Sequence, residues 1–158
     1  MLVYIIDAFN LIHKVKELKS SSFPHQSLIS YIRSNNLTGS KTNKVIIVFD
    51  GRSLPELHAQ ERHFQVIFSD QITADEIIID KVRHLPNKSE ILVVSNDRSL
   101  AAAIKNFGAK NITIADFIKK NKSRKVSQKQ THADKDISYV LQREITEEMR
   151  KIWLKDKE

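Results

Sequence analysis

Leu2-Val3-Tyr4-Ile5-Ile6-Asp7 is an apolar run that stops at an acid, and the same pattern recurs in Val45-Ile46-Ile47-Val48-Phe49-Asp50 and in Ile91-Leu92-Val93-Val94-Ser95-Asn96-Asp97. Each run has the length and composition of a strand. In an open parallel sheet, ligands and chemistry collect outside the carboxyl ends of the strands, so acids closing several strands converge on one rim.

Between these runs the apolar residues change to helical spacing. Ala8 to His13 forms a first helix, and Pro24 opens a second that carries Leu28, Ile29 and Ile32 on one face and ends in a polar segment containing Gly39. Asp50-Gly51 turns the chain into a short helix or loop from Pro55 to Arg62, after which Phe64 to Phe68 alternates like a strand suited to an edge. Thr73 and Glu76 make a capping-box pattern ahead of Ile77, Ile78, Val82 and Leu85, a helix that Pro86 stops. A fourth strand, Glu90 to Val94, leads into a helix containing Leu100, Ala101, Ile104 and Phe107, closed by Gly108. Asn111 to Ile114 reads as a fifth strand, with Asp116 just beyond it. Strands alternating with helices imply βαβ crossovers, so the expected fold is α/β, a three-layer α/β/α sandwich on a mainly parallel sheet.

That domain is expected to span residues 1–118. Residues 119–135 turn polar and basic and read as a linker or loop. In residues 136–158, Ile137, Val140, Leu141, Ile145, Met149, Ile152 and Trp153 share one helical face, which must pack on the domain or on a partner.

Composition narrows the classes. The chain has 158 residues, 41% hydrophobic and 28% charged, in keeping with a soluble globular protein. No apolar stretch approaches the roughly 18 residues of a membrane span, and Met1 runs straight into a strand without a signal-peptide pattern. A cytoplasmic monomer with no membrane association is expected. The absence of cysteine excludes disulfides, zinc-thiolate sites and cysteine nucleophiles, leaving oxygen and imidazole ligands. The net charge of +7 suits a polyanionic partner. Much of that charge lies in Lys119, Lys120, Lys122, Arg124, Lys125 and Lys129.

The acids carry the chemistry. If the first and fourth strands are neighbours where strand order reverses, Asp7 and Asp97 face each other across the crevice. Asp75 and Glu76 lie in the first turn of the helix returning to the fourth strand and join the same rim, as does Asp116. Clustered carboxylates repel, and crowding raises the pKa of at least one unless a cation neutralises them. Such oxygen donors suit Mg²⁺ or Mn²⁺, which activate water and stabilise an in-line displacement at phosphorus. Each acid also has a structural use: a strand-end aspartate can cap a helix or form a turn, Asp50-Gly51 is a turn signal, and Glu76 can be occupied in the capping box. Asn10 is placed to orient Asp7, Ser95 and Asn96 to donate to a phosphate or cap a helix, and Arg52 to contact phosphate.

At these residues the chain resembles the YacP-like branch of the NYN domains, PIN-like ribonucleases of bacteria. The resemblance rests on Tyr4-Ile5-Ile6-Asp7-Ala8-Phe9-Asn10-Leu11-Ile12, Val48-Phe49-Asp50-Gly51, Phe68-Ser69, Thr73-Ala74-Asp75-Glu76-Ile77-Ile78 and Val93-Val94-Ser95-Asn96-Asp97. It implies a Mg²⁺-dependent endoribonuclease that cleaves messenger RNA in association with the translating ribosome. Carried over by position, it puts the acidic pocket on Asp7, Asp75 and Asp97, with Asn10 as a further catalytic residue and Asp50 as an accessory one. Family patterns often have Ser or Thr, then Ser, then Asp, where this chain has Ser95-Asn96-Asp97. The acid is kept. By the same resemblance, Lys119 to Lys129 contact the RNA backbone.

Other acid-bearing folds fit less well. Receiver domains want an acidic pair after the first strand and a lysine after the fifth, where this chain has Ala8 and Ala115. Haloacid-dehalogenase-like phosphatases want a second aspartate where Phe9 stands, and no glycine-rich phosphate loop is present. The remaining alternative is a non-catalytic module that holds RNA or the ribosome through a nuclease-like fold.

Overall fold

The three apolar runs lie side by side in the computed structural model, which describes residues 1–52, 60–61 as backbone, and 63–119. Strand β1 (Val3–Asp7) is central, with β2 (Lys44–Phe49) on one side and β5 (Ile91–Val94) on the other, both parallel to it. Beyond β2 lies β4 (Phe64–Phe68), and beyond β5 lies β6 (Lys110–Ile112), again parallel. A two-residue β3 (Gln60–Glu61) pairs antiparallel with β4, giving the order β3-β4-β2-β1-β5-β6. From β1 the chain builds outward through β2 and β4, then returns to build in the opposite direction through β5 and β6. The order therefore reverses between β1 and β5, at the crevice where open α/β sheets bind ligands.

Two helical layers cover the sheet because its strands are apolar on both faces. Helices α1 (Ala8–Lys14), α2 (Lys16–Lys19) and α3 (Pro24–Ser34), with a helix over residues 114–119, bury Leu11, Leu18, Leu28, Ile32 and Phe117 against Tyr4, Ile6, Ile47, Phe49 and Val94. On the other face α4 (Ala74–His84) and α5 (Arg98–Lys105) bury Ile78, Val82, Leu100 and Ile104 against Val3, Ile5, Ile46, Val48 and Val93. Full burial of each such side chain contributes about 1.5–3 kcal/mol. The period-2 alternation of β1 sends Val3 and Ile5 to the α4/α5 face, and the same count directs Asp7 there.

Local chemistry sets the helix ends. Pro24 occupies the first turn of α3, where a missing N–H costs nothing. Thr73 and Glu76 form the reciprocal capping box of α4, whose far end is closed by the Lys88 ammonium donating to the carbonyls of Val82, Arg83 and Leu85. Gly108 follows α5 at φ +85°, a left-handed conformation that suits glycine, and the Ala109 N–H returns to the Ile104 carbonyl.

Some boundaries differ from expectation. The last strand ends at Ile112, not Ile114, because Asn96 Oδ1 accepts the Ile114 N–H and the Thr113 hydroxyl accepts that of Asp116, which starts a helix there. Glu90 belongs to a 3-10 turn ahead of β5. Phe64 to Phe68 is not the edge, because β3 covers it. Of the segment expected as helix or loop up to Arg62, residues 60–61 form β3, while 55–59 and 62 lie outside the described residues. So do Lys120 to Lys135 and the expected helix over 136–158. Among the described residues, no helix is long and apolar enough to cross a membrane.

Candidate active site

Asp7 is the last residue of β1 and the N-cap of α1, and it is only 3% exposed. Charge at that depth requires partners. One carboxylate oxygen accepts the Asn10 backbone N–H at 3.1 Å; the other accepts the Asn10 side-chain amide and the Ser95 hydroxyl, the latter at 2.9 Å. Register explains the Ser95 bond: Ile6 pairs with Val94, so the next residue of each strand falls alongside the other. Ser95, fully buried, also accepts the Asp97 N–H at 3.1 Å. One hydroxyl thus joins the two acids across the switch point.

Asp97 is the N-cap of α5. Its Oδ1 accepts the Ser99 hydroxyl and the backbone N–H groups of Ser99 and Leu100. The Ser99 hydroxyl first, and then those two N–H groups, hold the Asp97 carboxyl below the usual carboxylate range.

Asp75 occupies the first turn of α4 and is half-buried. Its carboxyl lies above the usual range, chiefly because burial disfavours its charge, and further because the charges of Asp7, Asp97 and Asp50 press on it. Four acids from four parts of the sequence therefore share one electrostatic neighbourhood. The fold accounts for this: Asp7 leaves the sheet toward the α4/α5 layer, and those two helices present Asp75 and Asp97 at their N-termini.

Asp50 follows β2 and is exposed. It accepts the Ala74 N–H at 3.2 Å and the hydroxyl of buried Ser69 at 2.9 Å, while Ser69 accepts the Gly51 N–H at 3.0 Å. Asp50 is thus anchored to the start of α4 and does more than form a turn. Ser69 was not assigned a role from the sequence. Its signal is a small polar residue directly after the alternating strand Phe64 to Phe68.

The other expected members serve elsewhere. Ser95 is buried and positions the acids, so its hydroxyl is not presented to a phosphate. Asn96 accepts the Ile114 N–H and ties the end of β5 to the helix over 114–119. Glu76 is occupied by the capping box, bonding the Thr73 N–H and hydroxyl. Asp116 accepts the Thr113 hydroxyl at 2.7 Å as part of that helix start, and it is not among the charges acting on Asp75. Arg52 is exposed and borders an open cleft with Ser69, Asp70, Gln71 and Ile72. Arg98, which sequence reasoning passed over, opens α5 directly after Asp97 and is exposed at the same rim. Lys119 is exposed, whereas Lys120, Lys122, Arg124, Lys125 and Lys129 lie outside the described residues.

Among the described residues, no three histidine, aspartate or glutamate side chains stand close enough together to enclose a metal ion. The donor chemistry nevertheless fits Mg²⁺ or Mn²⁺. All the donors are hard carboxylate oxygens, and Mg²⁺ commonly takes only one or two carboxylates and completes its shell with water and substrate phosphate.

The sequence matches the YacP-like NYN domain over residues 4–155. Among solved structures, the chain is similar to Rae1 (YacP) from Bacillus subtilis, with a TM-score of 0.64 at 21% identity, covering 97% of this chain and 94% of that one. A W164L mutant of the same protein gives a TM-score of 0.60 at 26% identity, covering 81% of this chain and 80% of that one. No curated protein matches the sequence.

Proposed function

The chain belongs to the YacP-like NYN domain family, with its nuclease-like fold, and from that premise we propose that it is a Mg²⁺- or Mn²⁺-dependent endoribonuclease acting on messenger RNA at the translating ribosome. The observation that carries the reading is the gathering of Asp7, Asp75 and Asp97 around the β1/β5 switch point, with Asp50 beside them. The ribosome and the messenger come from the family resemblance.

In this reading the cation would be held by one or two carboxylates at a time from the set Asp7, Asp75 and Asp97, with water and substrate phosphate completing its shell. When bound, that ion supplies neutralisation of the carboxylates, polarisation of the phosphate and a lowered pKa for the attacking water. Asn10 and Ser95 keep Asp7 in one orientation, so the site does not reorganise as substrate arrives. Burial, and then the charges of Asp7, Asp97 and Asp50, raise the Asp75 carboxyl above its usual range, so its ionised form gains most from a neighbouring cation. The exposed Arg98 guanidinium at the start of α5 favours a phosphate at the mouth. Arg52 and the basic run from Lys119 to Lys129 extend contact along the RNA backbone.

A second reading has its own observation. Because, among the described residues, no three acids are close enough to enclose a metal, the chain is alternatively an RNA- or ribosome-binding module that does not cleave. One experiment separates the two: purified protein is incubated with Mg²⁺ and either translating ribosomes or free RNA, alongside Asp7→Asn. Cutting that Asp7→Asn abolishes while binding persists supports the enzyme. Binding without cutting supports the module, and equal cutting by both proteins removes the catalytic assignment.

A further inference from the structure

Among the described residues, the large apolar side chains left exposed are Met1, Phe9, Phe23 and Ile72, and three of these four collect at the carboxyl edge of the sheet. Phe9 is two residues after Asp7, in the first turn of α1. Ile72 lies in the loop between β4 and α4, three residues before Asp75. Phe23 precedes α3 beside His25, whose ring stands 4.8 Å from that of Phe49 at the end of β2. Folding does not require these exposures. Ala8 and Leu11 already bury the inner face of α1, and Phe9 with His13, four residues on, faces out.

Phe9 is the best placed of the three. It is 58% exposed, and its ring centroid lies 4.2 Å from that of His13 at an interplanar angle of 50°, so one side of the ring is braced. It also directly precedes Asn10, whose side chain and N–H hold Asp7. A braced aromatic ring within one helical turn of a buried carboxylate suits a planar apolar partner whose anionic end reaches a cation held at that carboxylate. A nucleotide has this shape, with a base to stack and a phosphate to place.

We infer that Phe9, braced by His13, is a positioning residue on which a nucleobase of the RNA stacks, setting the neighbouring phosphate over Asp7, Asp75 and Asp97. This rests on the nuclease reading and adds to it a contact with the base. The base must be unpaired and unstacked to reach the ring, so a duplex is excluded at that nucleotide. Every base has a π-face, so the contact is tolerant of sequence.

The test measures binding of a short single-stranded RNA to the full-length chain carrying Asp7→Asn, so that nothing is cut, and steady-state cleavage in the chain without it. Phe9→Ala is expected to weaken binding roughly tenfold, Phe9→Leu nearly as much, and Phe9→Tyr little. An RNA with one abasic position scanned along it should bind the Phe9→Ala protein and its parent equally when the gap falls at the stacked nucleotide. In cleavage, the loss should appear mainly in KM. If Phe9→Ala binds as its parent does while the wild type still cuts RNA, or if Phe9→Leu retains full affinity, base stacking is overturned and the nuclease reading stands. If the wild type neither binds nor cuts RNA, both fall together.

Discussion

The Ser95 hydroxyl donates to Asp7 Oδ2 at 2.9 Å across the point where strand order reverses, joining the ends of β5 and β1. Because Ser95 also accepts the Asp97 N–H, this one side chain sets the spacing of two acids that are 90 positions apart in the sequence. Ser95→Ala leaves buried Asp7 short of a donor and is expected to lower stability by about 1–3 kcal/mol. Cleavage should fall by roughly 10–100-fold. Urea unfolding together with kcat/KM checks both, and a variant with unchanged activity would show that Asp7 needs no such support.

Asp75→Asn tests the crowding. With its folded pKa raised, Asp75 favours the folded state while protonated, below the usual carboxylate range, and that contribution is lost as pH rises through the raised value. At neutral pH without metal, removing its charge is therefore expected to stabilise the protein. Solvent screening of this half-exposed group limits the rise in Tm to about 1–2 °C. The gain should vanish in acid, where both proteins are neutral at this position, while activity at pH 7 is lost. A Tm difference that does not change with pH would contradict the assignment.

Divalent ions should reverse that ordering. Mn²⁺ or Mg²⁺ is expected to raise the wild-type Tm, by an amount equivalent to about 2.7 kcal/mol at a hundredfold excess over Kd. Asp7→Asn and Asp75→Asn should respond weakly. Thermal melts across a metal titration, repeated with a chelator, provide the check, and identical responses in all three proteins would remove these acids as ligands.

Asp97 has two roles that substitution can separate. Asparagine caps a helix about as well as aspartate, so Asp97→Asn is expected to keep the start of α5 intact while losing roughly two orders of magnitude in cleavage. Asp97→Ala should lose both the cap and the activity. Melting curves and initial rates distinguish the roles; full activity in Asp97→Asn would leave Asp97 as a cap alone.

Replacing Lys119, Lys120, Lys122, Arg124 and Lys125 with glutamine is expected to weaken RNA or ribosome binding. The slope of log K against log salt should become shallower by about 0.7 per lost contact to a single strand. Binding isotherms at several salt concentrations measure this, and an unchanged slope would remove the segment from the interface.

Several features were legible because they are local. Three apolar runs ended by Asp7, Asp50 and Asp97 announced strands, Thr73 with Glu76 announced a helix start, and Gly108 announced a helix end, since each depends on residues within one or two turns of each other. The end of the last strand was misjudged for the opposite reason. Ile114 is apolar enough for a strand, but its N–H is claimed by Asn96, 18 positions earlier.

By itself the sequence determined that this is an α/β chain with acids at the carboxyl ends of its strands, because periodicity and capping are short-range. Only the tertiary structure decided which acids meet. Pairing β1 with β5 placed Ser95 between Asp7 and Asp97, and the alternation of β1 turned Asp7 toward the helices bearing Asp75 and Asp97. The Thr113 cap drew Asp116 into a helix start. Strand order and side-chain direction depend on contacts tens of residues apart, which a local pattern does not encode.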